Sequence, residues 1–197
     1  MSPPPCVVTG LVADALHAAD AREDTASAVG PHAAQLSSLQ ADHCRIRVTA
    51  WSLPRRTAAR RARHLLRAQL HGHVTDPAVL EDLDVVVCEL ATNSARHTSG
   101  PFEMRVLHHA GVPVVCEVAD SGQDLDQVAD HLRRSAGPAG LDAVLSVAAL
   151  AEGGRGLGIV ATLTGGRCGV HATRLCGTGR TGKSVWFAIP VERAHTP

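Results

Sequence analysis

One run of residues constrains this chain more than any other. Thr75-Asp76-Pro77 sets a cap residue before a proline, the arrangement that opens an α-helix. Leu80, Leu83, Val86, Val87 and Leu90 follow at helical spacing to about His97, and Thr98-Ser99-Gly100-Pro101 stops the run. Two extended runs come next, Phe102 to His108 and Val112 to Ala119, and the short Ala110-Gly111 break between them reads as a hairpin turn.

The flanking segments extend the pattern. Arg45-Ile46-Arg47-Val48-Thr49-Ala50-Trp51 alternates like a strand. Pro54 then opens a helical stretch to about His71, with Ala62, Leu65, Leu66 and Leu70 on one side and Arg56, Arg60, Arg63 and Arg67 on the other. Residues 121–152 are less regular, and Gly137-Pro138 interrupts two modest helical patterns. Gly153 to Gly158 leads into a helix over Ile159–Leu163, and two last strands are expected near Arg167–His171 and Ser184–Ile189. Helices and antiparallel strands in this order predict an α+β fold: a two-layer sandwich whose mostly antiparallel mixed sheet is covered on one face by helices. The domain is expected over 44–191. Residues 1–43, poor in large apolar side chains, are expected to be a disordered tail, and 192–197 a C-terminal tail.

Composition narrows the function classes. Of 197 residues, 45% are apolar and 19% charged, which is globular. Aromatics are 2% with no Tyr, against the stacking platforms of single-strand nucleic-acid binders. Nineteen basic residues balance nineteen acidic ones, so no global field holds a polyanion. No apolar run approaches the roughly 18 residues of a membrane span. With no basic leader before the first apolar stretch, and six scattered Cys without a C-x-x-C, a cytoplasmic chain with free thiols is expected. Lys183 is the single lysine, which by itself reads as genome composition.

Four places carry chemical potential. On the long helix, Glu89, Asn93, Arg96 and His97 project at about 0°, 40°, −20° and 80°. An acid, an amide and two cations on one arc suit a phosphorylated ligand and its hard cation; a solvated helix face explains them equally. Asp120-Ser121-Gly122 ends a strand on which Asp120 shares a face with Val114, Cys116 and Val118, the side expected under the helices. A carboxylate there needs a donor such as a base amino group, unless it caps its own turn. Gly154-Arg155-Gly156-Leu157-Gly158 at a helix start offers amides to phosphate, or is simply a flexible hinge. Gly177 to Ser184 fits the P-loop pattern letter for letter, but Val185 to Ile189 reads as a strand where a P-loop needs a helix, so a turn is expected instead. His108-His109, and Cys168 with His171 and Cys176, lack the paired spacing of a zinc site.

In order, these segments resemble the GHKL ATP-binding superfamily. Glu89-Leu90-Ala91-Thr92-Asn93 resembles its N box, Asp120-Ser121-Gly122 its adenine-binding motif, and Gly154 to Gly158 its glycine-rich lid hinge. Gly182-Lys183-Ser184-Val185-Trp186-Phe187 is similar to its closing strand. The nearest likeness is to the small bacterial anti-sigma-factor serine/threonine kinases. The resemblance implies the Bergerat ATP-binding fold, with ATP and Mg2+ as cofactors. It implies that Glu89 is the general base, that Asn93 ligates Mg2+, and that Asp120, backed by Ser184, bonds the adenine amino group beside Gly122. It further implies that the Gly154-Arg155-Gly156-Leu157-Gly158 segment cradles phosphates near Arg96 and His97, and that Ser121 to Glu152 forms the ATP lid.

The expected activity is phosphorylation of a Ser or Thr on a protein antagonist, with a sigma factor or its antagonist as partner and neither nucleic acid nor membrane bound directly. Self-association into a homodimer stays open. The alternative is a non-catalytic, nucleotide-gated binding switch, which needs the same pocket. A histidine kinase reading is weaker, because His64 is followed by Leu65-Leu66 instead of an acidic residue.

Overall fold

The computed structural model describes residues 46–135 and 155–191. Residues 1–43, most of the expected lid, Gly154 and the C-terminal tail lie outside them. The described elements are β1 (Ile46–Ser52), α1 (Ala58–Leu70, after a 3-10 turn over Arg55–Thr57), α2 (Pro77–His97), β2 (Phe102–His109) and β3 (Val112–Asp120). They are followed by α3 (Leu125–Ser135), α4 (Arg155–Leu163), β4 (Cys168–Arg174) and β5 (Thr181–Ala188).

Local chemistry sets the main boundaries. Asp76 Oδ1 accepts from the Ala78 N–H at 2.9 Å with Pro77 in the first turn, so α2 begins where the cap and the proline place it. It ends where Thr98 returns both its N–H and its hydroxyl to the Ser94 carbonyl, at 3.1 and 3.0 Å. The hairpin turns on Ala110 and Gly111, both at positive φ (51° and 88°), which matches the twist of paired strands.

The five strands form one sheet in the order β1-β2-β3-β5-β4, with every neighbour antiparallel. The expected α+β sandwich is thus found, its sheet antiparallel at every pairing among the described residues: the crossover from β3 returns the chain to the far edge, and β5 then inserts between β3 and β4. α1 packs on α2, α2 on α4, and α4 on α3, all on one sheet face. Leu66, Leu70, Val86, Val87 and Leu90 meet Met104, Val106, Cys116, Val118 and Phe187 there, each aliphatic side chain contributing about 1.5–3 kcal/mol by leaving water. The Arg60, Arg63 and Arg67 edge of α1 is exposed. Among the described residues no helix is long and apolar enough to cross a membrane.

The opposite sheet face carries a small apolar cluster of Val48, Leu107, Val115 and Trp186. Beside it lies a buried polar network. Arg105, 2% exposed, donates to Glu103 Oε1 at 2.8 Å and Thr173 Oγ1 at 2.8 Å, and lies 3.5 Å from Glu117 Oε2. Val114 belongs to this face, packed against the Val115 cluster, and not to the helix side as its parity implied. The reason is a register shift: Leu107 pairs Val115 while His108 pairs Pro113, so Val114 is an extra residue that breaks the alternation.

Candidate functional site

A cavity of about 360 Å3 opens between α2, α3, the first turn of α4 and the ends of β3 and β5. α2 presents Leu90, Asn93, Ser94 and His97, which share a face through their spacing of three and four. Leu90, Val128, Leu157 and Val185 make apolar walls, while Asp120, Asp124 and Lys183 gather at the sheet end. Apolar walls with a few convergent polar groups suit a flat ring that bears a polar edge.

The polar end is built by strand register. Asp120 and Lys183 are direct partners across β3 and β5, so both side chains leave the sheet on the helix side. Lys183 Nζ lies 2.9 Å from Asp120 Oδ1 and 2.9 Å from Asp124 Oδ1. The Gly122 N–H donates to the same Asp120 Oδ1 at 2.8 Å. Burial alone would lower the Lys183 pKa, but its bonds to the two carboxylates outweigh that and hold it above the ordinary value. For Asp124 burial works upward, and the Lys183 bond, its own backbone N–H and the Lys183 charge bring the net shift below the ordinary value. Gly122 is needed for contact: a β-carbon there would strike Lys183 Nζ and come within 2.9 Å of both carboxylates.

At the other end, α4 meets α2. A β-carbon on Gly156 would lie 2.6 Å from Glu89 Oε2 and 2.9 Å from Asn93 Nδ2, so only glycine admits this approach. The first-turn amides of a helix lack intrahelical partners and carry partial positive charge, which favours an anion. An amide, a carboxylate and a helix start thus converge beside an apolar cavity. This donor set fits a phosphate chain with Mg2+, an ion that takes one or two protein oxygens and completes its shell with phosphate and water.

Of the residues singled out from the sequence, Asn93, His97, Asp120 and Leu157 line the cavity, Gly122 borders its polar end, and Glu89 and Gly156 meet beside it. Gly158 is buried inside α4, and Arg155 opens that helix. The helix begins at Arg155 instead of Ile159, because Gly156 and Gly158 are packed helical residues and not a lead-in loop. Two placements differ. Arg96 is exposed and lines no part of the cavity; α2 is rotated so that Leu90 and Ser94 flank Asn93 instead. Ser184 does not back up Asp120. It points to the opposite sheet face, where its hydroxyl donates to Glu117 Oε2 at 3.1 Å. Lys183, one residue earlier, occupies the place expected of it. The P-loop-like segment is a turn, with the Gly179 N–H donating to Leu175 O at 2.7 Å, followed by β5.

Asp124, Gln127, His131 and Lys183 line the cavity without having been singled out as site residues. Only Lys183 had a signal, as the one lysine in the chain. Residues 51–167, more than half of the chain, match the family model of the histidine kinase-like ATPase domain. The chain belongs to that family. No curated protein matches it. The histidine kinase-like ATPase match takes in Glu89, Asn93, Asp120, Gly122 and Gly156, and so makes this a GHKL-type ATP-binding domain. β4 and β5 lie beyond the matched residues, and it is the sheet register that joins Lys183 to the site.

Proposed function

We propose that this chain is an ATP- and Mg2+-dependent protein serine/threonine kinase of the anti-sigma-factor type. Its partner would be a sigma factor or the protein antagonist that controls one. The observation that carries the reading is the meeting of Glu89 and Asn93 with Gly156 at one end of a ring-sized apolar cavity. In this reading Asp120 faces the base, Asn93 supplies a metal-ligating oxygen, and the α4 amides face the phosphates.

Glu89 takes the proton from an incoming Ser or Thr hydroxyl as that oxygen bonds to the γ-phosphorus and the bond to the ADP oxygen breaks. Bound Mg2+ supplies charge neutralisation on the transferring group. The remainder is positioning, which the α2–α4 contact provides.

A second reading, a nucleotide-gated binding switch without transfer, draws on a different observation. Asp124 at the start of α3 is tied to the sheet through Lys183, so a ligand that disturbs this bond also moves the helix. Incubation with labelled ATP, Mg2+ and candidate partner proteins separates the two. Label on a partner Ser or Thr supports the kinase, and stoichiometric nucleotide-dependent association without label supports the switch.

A further inference from the structure

The sheet end of the cavity holds a carboxylate and an ammonium together, and that changes what it can read. A lone carboxylate selects adenine over guanine, because the 6-amino group of adenine donates to it whereas O6 of guanine, an acceptor, is repelled. Here Lys183 Nζ stands 2.9 Å from Asp120 Oδ1 on the same wall. An ammonium has three N–H groups. Among the described residues two go to Asp120 and Asp124, which leaves the third for the cavity that Lys183 lines. Asp120 Oδ2 takes part in neither the Lys183 nor the Gly122 bond.

The wall therefore offers an acceptor beside a donor. Adenine complements that pair with its 6-amino group and N1. Guanine carries its acceptor O6 and donor N1–H in the reverse order along that edge, and complements the pair with the ring turned over. We propose that Lys183 selects the base, and that it opens this site to 6-oxopurine nucleotides, guanine nucleotides among them, alongside adenine nucleotides. The proposal rests on the cavity being a nucleotide site. Two features of the chain agree with it. Gly122 leaves the space that the ammonium fills, since a β-carbon there would strike Nζ. All other Lys-or-Arg positions are arginine, and the single lysine stands where a compact, tetrahedral donor can serve two carboxylates and a base at once.

Calorimetric titration of the full chain with ADP, GDP, IDP and CDP in the presence of Mg2+ tests the idea, repeated on Lys183→Met. GDP and IDP are expected to bind within about tenfold of ADP, and CDP well outside that range. IDP matters because it shares the 6-oxo edge and lacks the 2-amino group. In Lys183→Met, affinity for GDP and IDP falls at least about tenfold further than affinity for ADP. Saturable ADP binding without GDP or IDP binding overturns the proposal while leaving the nucleotide site intact. CDP binding as tight as ADP also overturns it, as does an equal loss across the purines in a folded variant. Failure of ADP itself to bind removes the site reading and the proposal together. Should the variant not fold, the wild-type comparison of bases decides.

Discussion

Glu89 on α2 and Gly156 on α4 are packed so closely that a methyl group on the glycine would come within 2.6 Å of the Glu89 Oε2 atom. Asn93 Nδ2 would lie 2.9 Å away on the same side. Both are the ends of flexible side chains, so Gly156→Ala displaces them more readily than it disturbs the fold. Alanine also favours the helix over glycine by about 1 kcal/mol. The expected result is a melting temperature equal to or slightly above wild type and, on the proposed kinase reading, partner phosphorylation reduced about tenfold or more through lost positioning. A variant that melts normally and transfers at the wild-type rate would show that the contact is dispensable.

On the proposed kinase reading, Glu89→Gln separates proton abstraction from binding. The amide keeps the size and shape of the carboxylate but cannot accept a hydroxyl proton. Transfer to a partner is expected to fall by about 10²–10⁴-fold, the usual range for a general base, while ATP affinity stays within about threefold. Single-turnover transfer alongside equilibrium binding provides the check. Transfer that persists at more than a tenth of wild type would move the base elsewhere.

How much of this was legible in the sequence differs from residue to residue. The long helix and the hairpin were, because Asp76-Pro77 and Ala110-Gly111 are local signals whose geometry depends on a few neighbours. The placement of Glu89 and Asn93 on the long helix and of Asp120 at a strand end was legible for the same reason. Lys183 and Ser184 were not told apart, because strand parity says only that they face opposite ways. Which of them meets Asp120 depends on pairing between strands more than sixty residues apart, and a slip of one residue would exchange them. Val114 failed through the extra residue in β3. Arg96 lies off the cavity because helical spacing fixes angles between side chains but not the rotation of the helix over its sheet. Burial of Leu83, Val86, Val87, Leu90, Ala91 and Ser94 against the core decides that rotation.

Gly182 adjoins this pairing, and its constraint is backbone instead of side chain. A β-carbon there would collide with the Asp120 carbonyl oxygen and come within 3.0 Å of Ser121 Cα. Neither atom can swing away without moving β3. Gly182→Ala is therefore expected to destabilise the protein by about 1–3 kcal/mol, the range for overpacked interiors, and to weaken nucleotide binding at the Asp120 end. Urea unfolding with a nucleotide titration measures both, and wild-type stability would mean that the strands separate more easily than this geometry allows.

Arg105 sits on the sheet face away from the cavity, so it divides stability from function. Burial works against its charge, and Glu103 and Glu117 outweigh that effect and hold its pKa above the ordinary value. Arg105→Met would leave both carboxylates buried without their cation, at a cost of about 3–5 kcal/mol. At a temperature where the variant remains folded, its ADP affinity should match wild type. A tenfold loss of affinity in the folded variant would reveal coupling across the sheet.

The Asp120–Lys183–Asp124 group gives stability a defined pH window. The Lys183 pKa is raised above 10.5, so its contribution is fully present below that value and disappears as pH rises through the higher folded value. The Asp124 pKa is lowered below 3.8, so its contribution is fully present above that value and is lost as pH falls through the lower folded value. The stability difference between wild type and Lys183→Met should therefore be level from about pH 5 to about pH 9 and shrink on both sides. Denaturant unfolding at a series of pH values reads this difference directly. A gap that changes steadily between pH 5 and 9 would mean that another titrating group, and not this one, governs the polar end of the cavity.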